Sequence, residues 1–116
     1  MNIYGIPNCN SVKKALSWFT DHQLSFTFHD YKKQPPTAEQ LKKWMQEVGS
    51  ERLINRKGTT WRTLTAEEQA QANTEKGAIH LMMAKPSVIK RPLIESTKGI
   101  ILGFDEPEYQ SAFSNK

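Results

Sequence analysis

The 116 residues predict an α/β domain: a mixed four-stranded sheet with helices on both faces and a helical insertion over about 37–84. Three observations carry this. The chain opens strand–helix–strand, it closes strand–strand–helix, and between the two its apolar residues recur at helical spacing. At this length, one domain spanning 1–116 is expected.

Asn2–Ile6 reads as a short strand, and Pro7-Asn8-Cys9-Asn10-Ser11 as a turn in which Asn10 or Ser11 caps a helix. Val12, Ala15, Leu16 and Phe19 give that helix its apolar face, Lys13, Lys14 and Ser17 its polar one, and Asp21-His22-Gln23 its end. Ser25–Tyr31 alternates polar and aromatic residues as a second strand should. A loop from Lys32 to Pro36 leads to Thr37, which forms a capping box with Gln40. The helix that follows carries Leu41, Trp44, Met45 and Val48 on one face, and Gly49 stops it. Glu51–Ile54 reads as a helical turn and Asn55–Thr60 as a polar loop.

Thr65 and Glu68 make a second capping box before a short polar helix. Thr74 leads a helix over Glu75–Ala84, with Ile79, Met82 and Met83 apolar, which Pro86 breaks. Ser87-Val88-Ile89 and Leu93-Ile94, on either side of Lys90-Arg91-Pro92, read as a third strand. Thr97-Lys98-Gly99 is a hairpin turn, and Ile100–Phe104 a fourth strand. Asp105 caps a last helix with Pro107 in its first turn. A right-handed crossover makes the first two strands parallel, and the hairpin makes the last two antiparallel. This is the thioredoxin plan.

Sixteen basic against twelve acidic residues give a net charge of +4. The basic residues come in scattered pairs, which read as solvated faces and not as a nucleic-acid footprint. No apolar run is long enough for a membrane helix, and the N-terminus lacks the basic-then-apolar order of a secretory signal. The expectation is a cytoplasmic chain starting at Met1, and a monomer. Cys9 is the one cysteine, so an internal disulfide and a cysteine-rich zinc site are excluded. His22, His29 and His80 show no ligand spacing. Trp18, Trp44, Trp61, Tyr4 and the pair Met82-Met83 read as packing residues, and His29 as lacking a partner for acid–base work.

A lone cysteine is either a small buried hydrophobe or a reactive thiol. Cys9 follows a strand and precedes a helix, where ligands of open α/β sheets bind and where free N–H groups favour negative charge. A thiolate is stabilised there, and the same donors would cradle an anion. Three residues on stands Val12, so Cys9 cannot oxidise within its own turn. Turnover needs a mixed disulfide resolved by an external thiol, for which glutathione is the natural cytosolic candidate. Arg91 sits beside Pro92, which the thioredoxin plan makes a cis peptide facing the thiol. A guanidinium there suits both thiolate stabilisation and bidentate oxyanion contact. The loop carrying Asn55, Arg56 and Lys57 is either simple solvated surface or part of the site.

Tyr4-Gly5-Ile6-Pro7-Asn8-Cys9, Leu53-Ile54-Asn55-Arg56-Lys57-Gly58 and Pro86–Leu93 occur in order along the chain. Together they resemble the arsenate reductase/Spx (ArsC/Spx) family, and most of all its short, single-cysteine bacterial branch, called YffB-like. The resemblance implies a thioredoxin-like fold and a catalytic Cys9 assisted by Arg56 and Arg91, with Pro92 in the place of the family's cis proline. Asn8, Asn10, Ser11, Lys90 and Pro92 are the expected substrate contacts. The family's third arginine lies after the last strand, where this chain reads Leu102-Gly103-Phe104-Asp105. An acid there disfavours arsenate. The regulators of the family bind RNA polymerase through a Cys-x-x-Cys switch, which Val12 removes.

The expected function is a glutathione-dependent thiol/disulfide reductase, with glutathione as co-substrate, no bound cofactor and glutaredoxin as a further partner. The alternatives are a glutathione/glutaredoxin-coupled arsenate reductase and an Spx-like, RNA polymerase-binding regulator without enzymatic activity.

Overall fold

The computed structural model describes residues 1–113; the last three residues of the 1–116 span lie outside the described residues. The chain forms two compact units, residues 1–30 with the described residues from Arg91 onward, and Tyr31–Lys90.

The first unit holds the sheet. Its strands are β1 (Asn2–Gly5), β2 (Thr27–Asp30), β3 (Leu93–Ser96) and β4 (Gly99–Leu102), in the order β2-β1-β3-β4. β1 pairs parallel with β2, opposing Ile3 to Phe28. It pairs antiparallel with β3, opposing Ile3 to Ile94, and β3 pairs antiparallel with β4, opposing Ile94 to Ile101. The sheet is therefore mixed, as the order of elements requires.

Helix α1 (Asn10–Asp21) joins β1 to β2. Its buried residues Val12, Ala15, Trp18 and Phe19 recur at spacings of three, three and one, one face of a helix. Ala15, Trp18 and Phe19 join Ile3, Ile94 and Ile101 from one face of the sheet in a single apolar cluster. Tyr109 and Phe113, from the helix that follows β4, complete it. That last helix, Glu106–Phe113, begins where Asp105 Oδ1 accepts the Glu108 N–H at 3.4 Å, with Pro107 in its first turn. Tyr109 is fully buried and donates its hydroxyl to the Gly103 carbonyl at 2.6 Å. Burial pushes its phenol pKa well up, with Glu108 and Asp105 adding to the rise. On the other sheet face, Tyr4 stacks on His29 at 4.5 Å and donates to Glu95 Oε1 at 3.2 Å. His29 Nε2 meets Asn2 Oδ1 at 2.9 Å, so that histidine does have a partner.

The second unit is helical: α2 (Ala38–Val48), α3 (Ser50–Leu53), α4 (Thr59–Arg62), α5 (Ala66–Ala70) and α6 (Glu75–Ala84). The helix after β4 is thus α7. Both capping boxes are present: Thr37 accepts from the Gln40 N–H, Thr65 from the Glu68 N–H, and each glutamine or glutamate returns the bond. Gly49, at φ +85°, ends α2 in a conformation that favours glycine. Leu41, Trp44, Leu53, Leu81, Met82 and Ile89 are fully buried.

Four local expectations are corrected. Ser87-Val88-Ile89 is not part of the third strand: Pro86–Val88 is a 3₁₀ turn, and β3 starts at Leu93. The backbone groups of this stretch pair instead with the segment that follows α3. The Val88 carbonyl accepts from Asn55 N–H at 2.7 Å, and Lys90 N–H donates to Leu53 at 2.8 Å. Thr59-Thr60 opens α4 where a loop was expected. Met83 is 43% exposed while Met82 is buried, because consecutive helical residues face different directions. Neither Asn10 nor Ser11 caps α1; the N-cap is Cys9.

Candidate active site

β1 ends at Gly5, and Ile6-Pro7-Asn8 carries the chain to Cys9. Cys9 is extended, at φ −146° and ψ 126°, and its carbonyl accepts the Lys13 N–H at 2.9 Å, which starts the helix. An N-cap side chain ordinarily accepts from the second or third helical amide. Here those amides belong to Ser11 and Val12. The Cys9 side chain makes no capping hydrogen bond, but the two N–H groups act on its sulfur and favour the charged form. Burial raises the thiol pKa. The Val12 N–H, the Arg91 side chain with its charge, and the Ser11 N–H together outweigh it, and the pKa lies below the ordinary thiol value.

Arg91 is brought to the sulfur by the segment entering β3. Its peptide bond to Pro92 is cis, and the buried Pro92 presents its carbonyl to the Gly103 N–H at 2.8 Å. Gly103 stands at φ +83°, so this crossing suits a glycine. The structure therefore gathers Cys9, Ser11, Val12 and Arg91. Asn8 and Asn10 are exposed on either side of Cys9.

Arg56 and Lys90 lie in the Tyr31–Lys90 unit, and both are exposed. The Arg56 guanidinium stacks over the Trp61 ring, 5.0 Å from its centroid, so the half-buried Trp61 has a charged neighbour as well as its packing role. Asn55 Oδ1 accepts the Lys57 N–H at 3.2 Å and shapes that turn. Asp105 spends its carboxylate on the α7 N-terminus.

The sequence reading missed two contributors. The Val12 amide is a backbone group whose side chain gives no sign of it. Gly5 lets α1 approach β1: a Cβ there would stand 2.8 Å from Val12 Cγ2. A glycine closing a strand just before the cysteine is the available signal.

Among the described residues, no group of three or more His, Cys, Asp or Glu side chains could hold a metal. Among them, too, no helix is long and apolar enough to cross a membrane.

The ArsC family model matches residues 4–112. An uncharacterized protein of Haemophilus influenzae is 37% identical over 115 residues, covering 98% of this chain and 99% of its own. A solved structure named YffB is 39% identical with a TM-score of 0.88, covering 96% of both chains. The solution structure of an arsenate reductase (ArsC) related protein from Brucella melitensis is 41% identical with a TM-score of 0.75, covering 98% of this chain and 94% of its own. At 26% identity over 113 residues, the match extends to global transcriptional regulator Spx 1 of Lactococcus lactis.

Proposed function

The chain belongs to the ArsC family, and on that footing we propose that it is a glutathione-dependent thiol reductase with Cys9 as its single nucleophile. The observation that carries the reading is the convergence of two helix amides and the Arg91 guanidinium on one sulfur, which favours the thiolate. The thiolate is the attacking species in disulfide exchange.

Cys9 Sγ bonds to one sulfur of a disulfide, and the other sulfur leaves with the electron pair and takes a proton from water. With Val12 where a second cysteine would stand, the mixed disulfide is resolved from outside. A glutathione thiolate attacks the bound sulfur, and Cys9 departs as the thiolate. Where the bound sulfur is glutathione's own, the product is glutathione disulfide, and the substrate thiol is released reduced. Arg91 holds the departing Cys9 charge and attracts the carboxylates of glutathione. Asn8, Asn10, Ser11, Lys90 and Pro92 are proposed as the substrate contacts.

The family and the Brucella relative favour arsenate reduction as the second reading. Against it stands Asp105, an acid in the place of the family's third arginine.

The test is alkylation of Cys9 by iodoacetamide as a function of pH, for wild type, Arg91→Ala and Arg91→Lys. Wild type is expected to react below the ordinary thiol range of ~8.5, and Arg91→Ala at higher pH. Mass spectrometry should show a glutathione adduct on Cys9. An ordinary titration of wild-type Cys9 would overturn the proposal. Turnover with arsenate, glutathione, glutaredoxin and NADPH would favour the second reading instead.

A further inference from the structure

An open groove of about 490 Å³ runs along α1. Lys13, Lys14, Ser17 and Asp21 of α1 and Glu106 of α7 line it, the half-buried Phe104 supplies its apolar surface, and the edge of the buried Trp18 forms its floor. Cys9 and Lys13 stand four residues apart, so the groove starts one helical turn, about 5.4 Å of rise, from the thiol-bearing cap. β1 and β4 both run antiparallel to β3, and the segment after β4 therefore emerges at the sheet edge that carries Cys9. This places Glu106 toward the Cys9 end and Asp21 at the other. From Lys13 to Asp21 the helix rises about 12 Å, the span of three to four extended residues at ~3.3 Å each.

None of the four charged side chains forms an ion pair with another described residue. Two cations and two anions cancel, which is wrong for a phosphate or a nucleic acid and right for a ligand bearing both signs.

Resting on the reductase reading above, we propose that this groove seats the polypeptide flanking the disulfide of a protein substrate. An acidic side chain of that segment meets Lys13 and Lys14, a basic one meets Asp21 and Glu106, and an apolar one covers Phe104. The substrate class is then a protein joined to glutathione by a disulfide. Cys9 bonds to the glutathione sulfur, the protein thiolate leaves with the electron pair and takes a proton from water, and a second glutathione frees Cys9 as glutathione disulfide forms.

The experiment is an NMR titration of Cys9→Ser, in which no exchange occurs. Two peptides serve as probes, acetyl-Asp-Glu-Leu-Phe-Lys-Lys-amide and its neutral analogue acetyl-Ser-Gln-Leu-Phe-Gln-Ser-amide. The charged peptide is expected to shift the amides of residues 13–21, Phe104 and Glu106. The neutral peptide, and the charged one against Cys9→Ser/Lys14→Glu, should bind about fivefold more weakly, the scale of exposed ion pairs. Equal binding of the two peptides, or shifts scattered away from the groove, would overturn the groove while a low alkylation pH of wild-type Cys9 left the reductase reading intact. Ordinary alkylation of Cys9 would remove the substrate role even where the peptide bound.

Discussion

Gly5→Ala tests the claim that close approach of β1 and α1 sets the position of the thiol. The added Cβ would lie 2.8 Å from Val12 Cγ2, against an ordinary carbon–carbon contact of about 3.5–4.0 Å. The shortfall is at least ~0.7 Å by that standard. Val12 is fully buried and β-branched, with one strongly preferred rotamer in a helix, so the side chain cannot turn away. The first turn of α1 must shift. Overpacking of this kind costs about 1–3 kcal/mol, and replacing a strand glycine returns about 0.5–1 kcal/mol. A net loss centred near ~1 kcal/mol follows, which lowers Tm by about 4–5 °C in a chain this size.

The same shift carries the Val12 N–H away from the sulfur, so Cys9 of Gly5→Ala should alkylate at higher pH than wild type. Val12→Ala removes the clashing methyl groups, and in the double variant the new Cβ occupies vacated space. Denaturation of all four proteins should give a favourable coupling energy of about 1 kcal/mol between the two substitutions. Unchanged stability of Gly5→Ala, or strictly additive effects, would refute the reasoning.

Two more outcomes are expected. Because the folded-state pKa of Cys9 is depressed, the unfolded chain holds the extra proton between the folded and unfolded values, and stability rises with pH there. Urea denaturation should show wild type gaining on Cys9→Ser as pH rises toward ~8.5, the unfolded thiol pKa, and losing that gain as pH falls through the folded pKa; a difference flat with pH contradicts the assignment. Tyr109→Phe removes the buried 2.6 Å bond to the Gly103 carbonyl and should cost about 1–2 kcal/mol in the same measurement, whereas a neutral effect would mean water replaces the hydroxyl.

Much of this protein is legible one segment at a time. Thr37 with Gln40, Thr65 with Glu68, Thr74 and Asp105 announce helix starts because capping is a contact over three residues, and the structure contains all four. The apolar spacing of Val12, Ala15 and Phe19 reports a buried face for the same local reason. The position of Cys9 between a strand and a helix is likewise written in the chain, and with it the chemistry a thiol at a helix N-terminus favours.

What depends on partners distant in sequence is not legible this way. Ser87-Val88-Ile89 has strand-like residues, but its backbone groups find Leu53 and Asn55, and no local pattern reports that pairing. Met82 and Met83 are chemically identical, and only the packing of α6 decides which one is buried. Arg91 is 82 residues from Cys9 along the chain, and only the pairing of β1 with β3 brings its guanidinium to the sulfur. Residue types and local spacing determined the elements and the place of the thiol; the tertiary fold decided which charges surround it, because electrostatic interaction depends on distance through space and not along the chain.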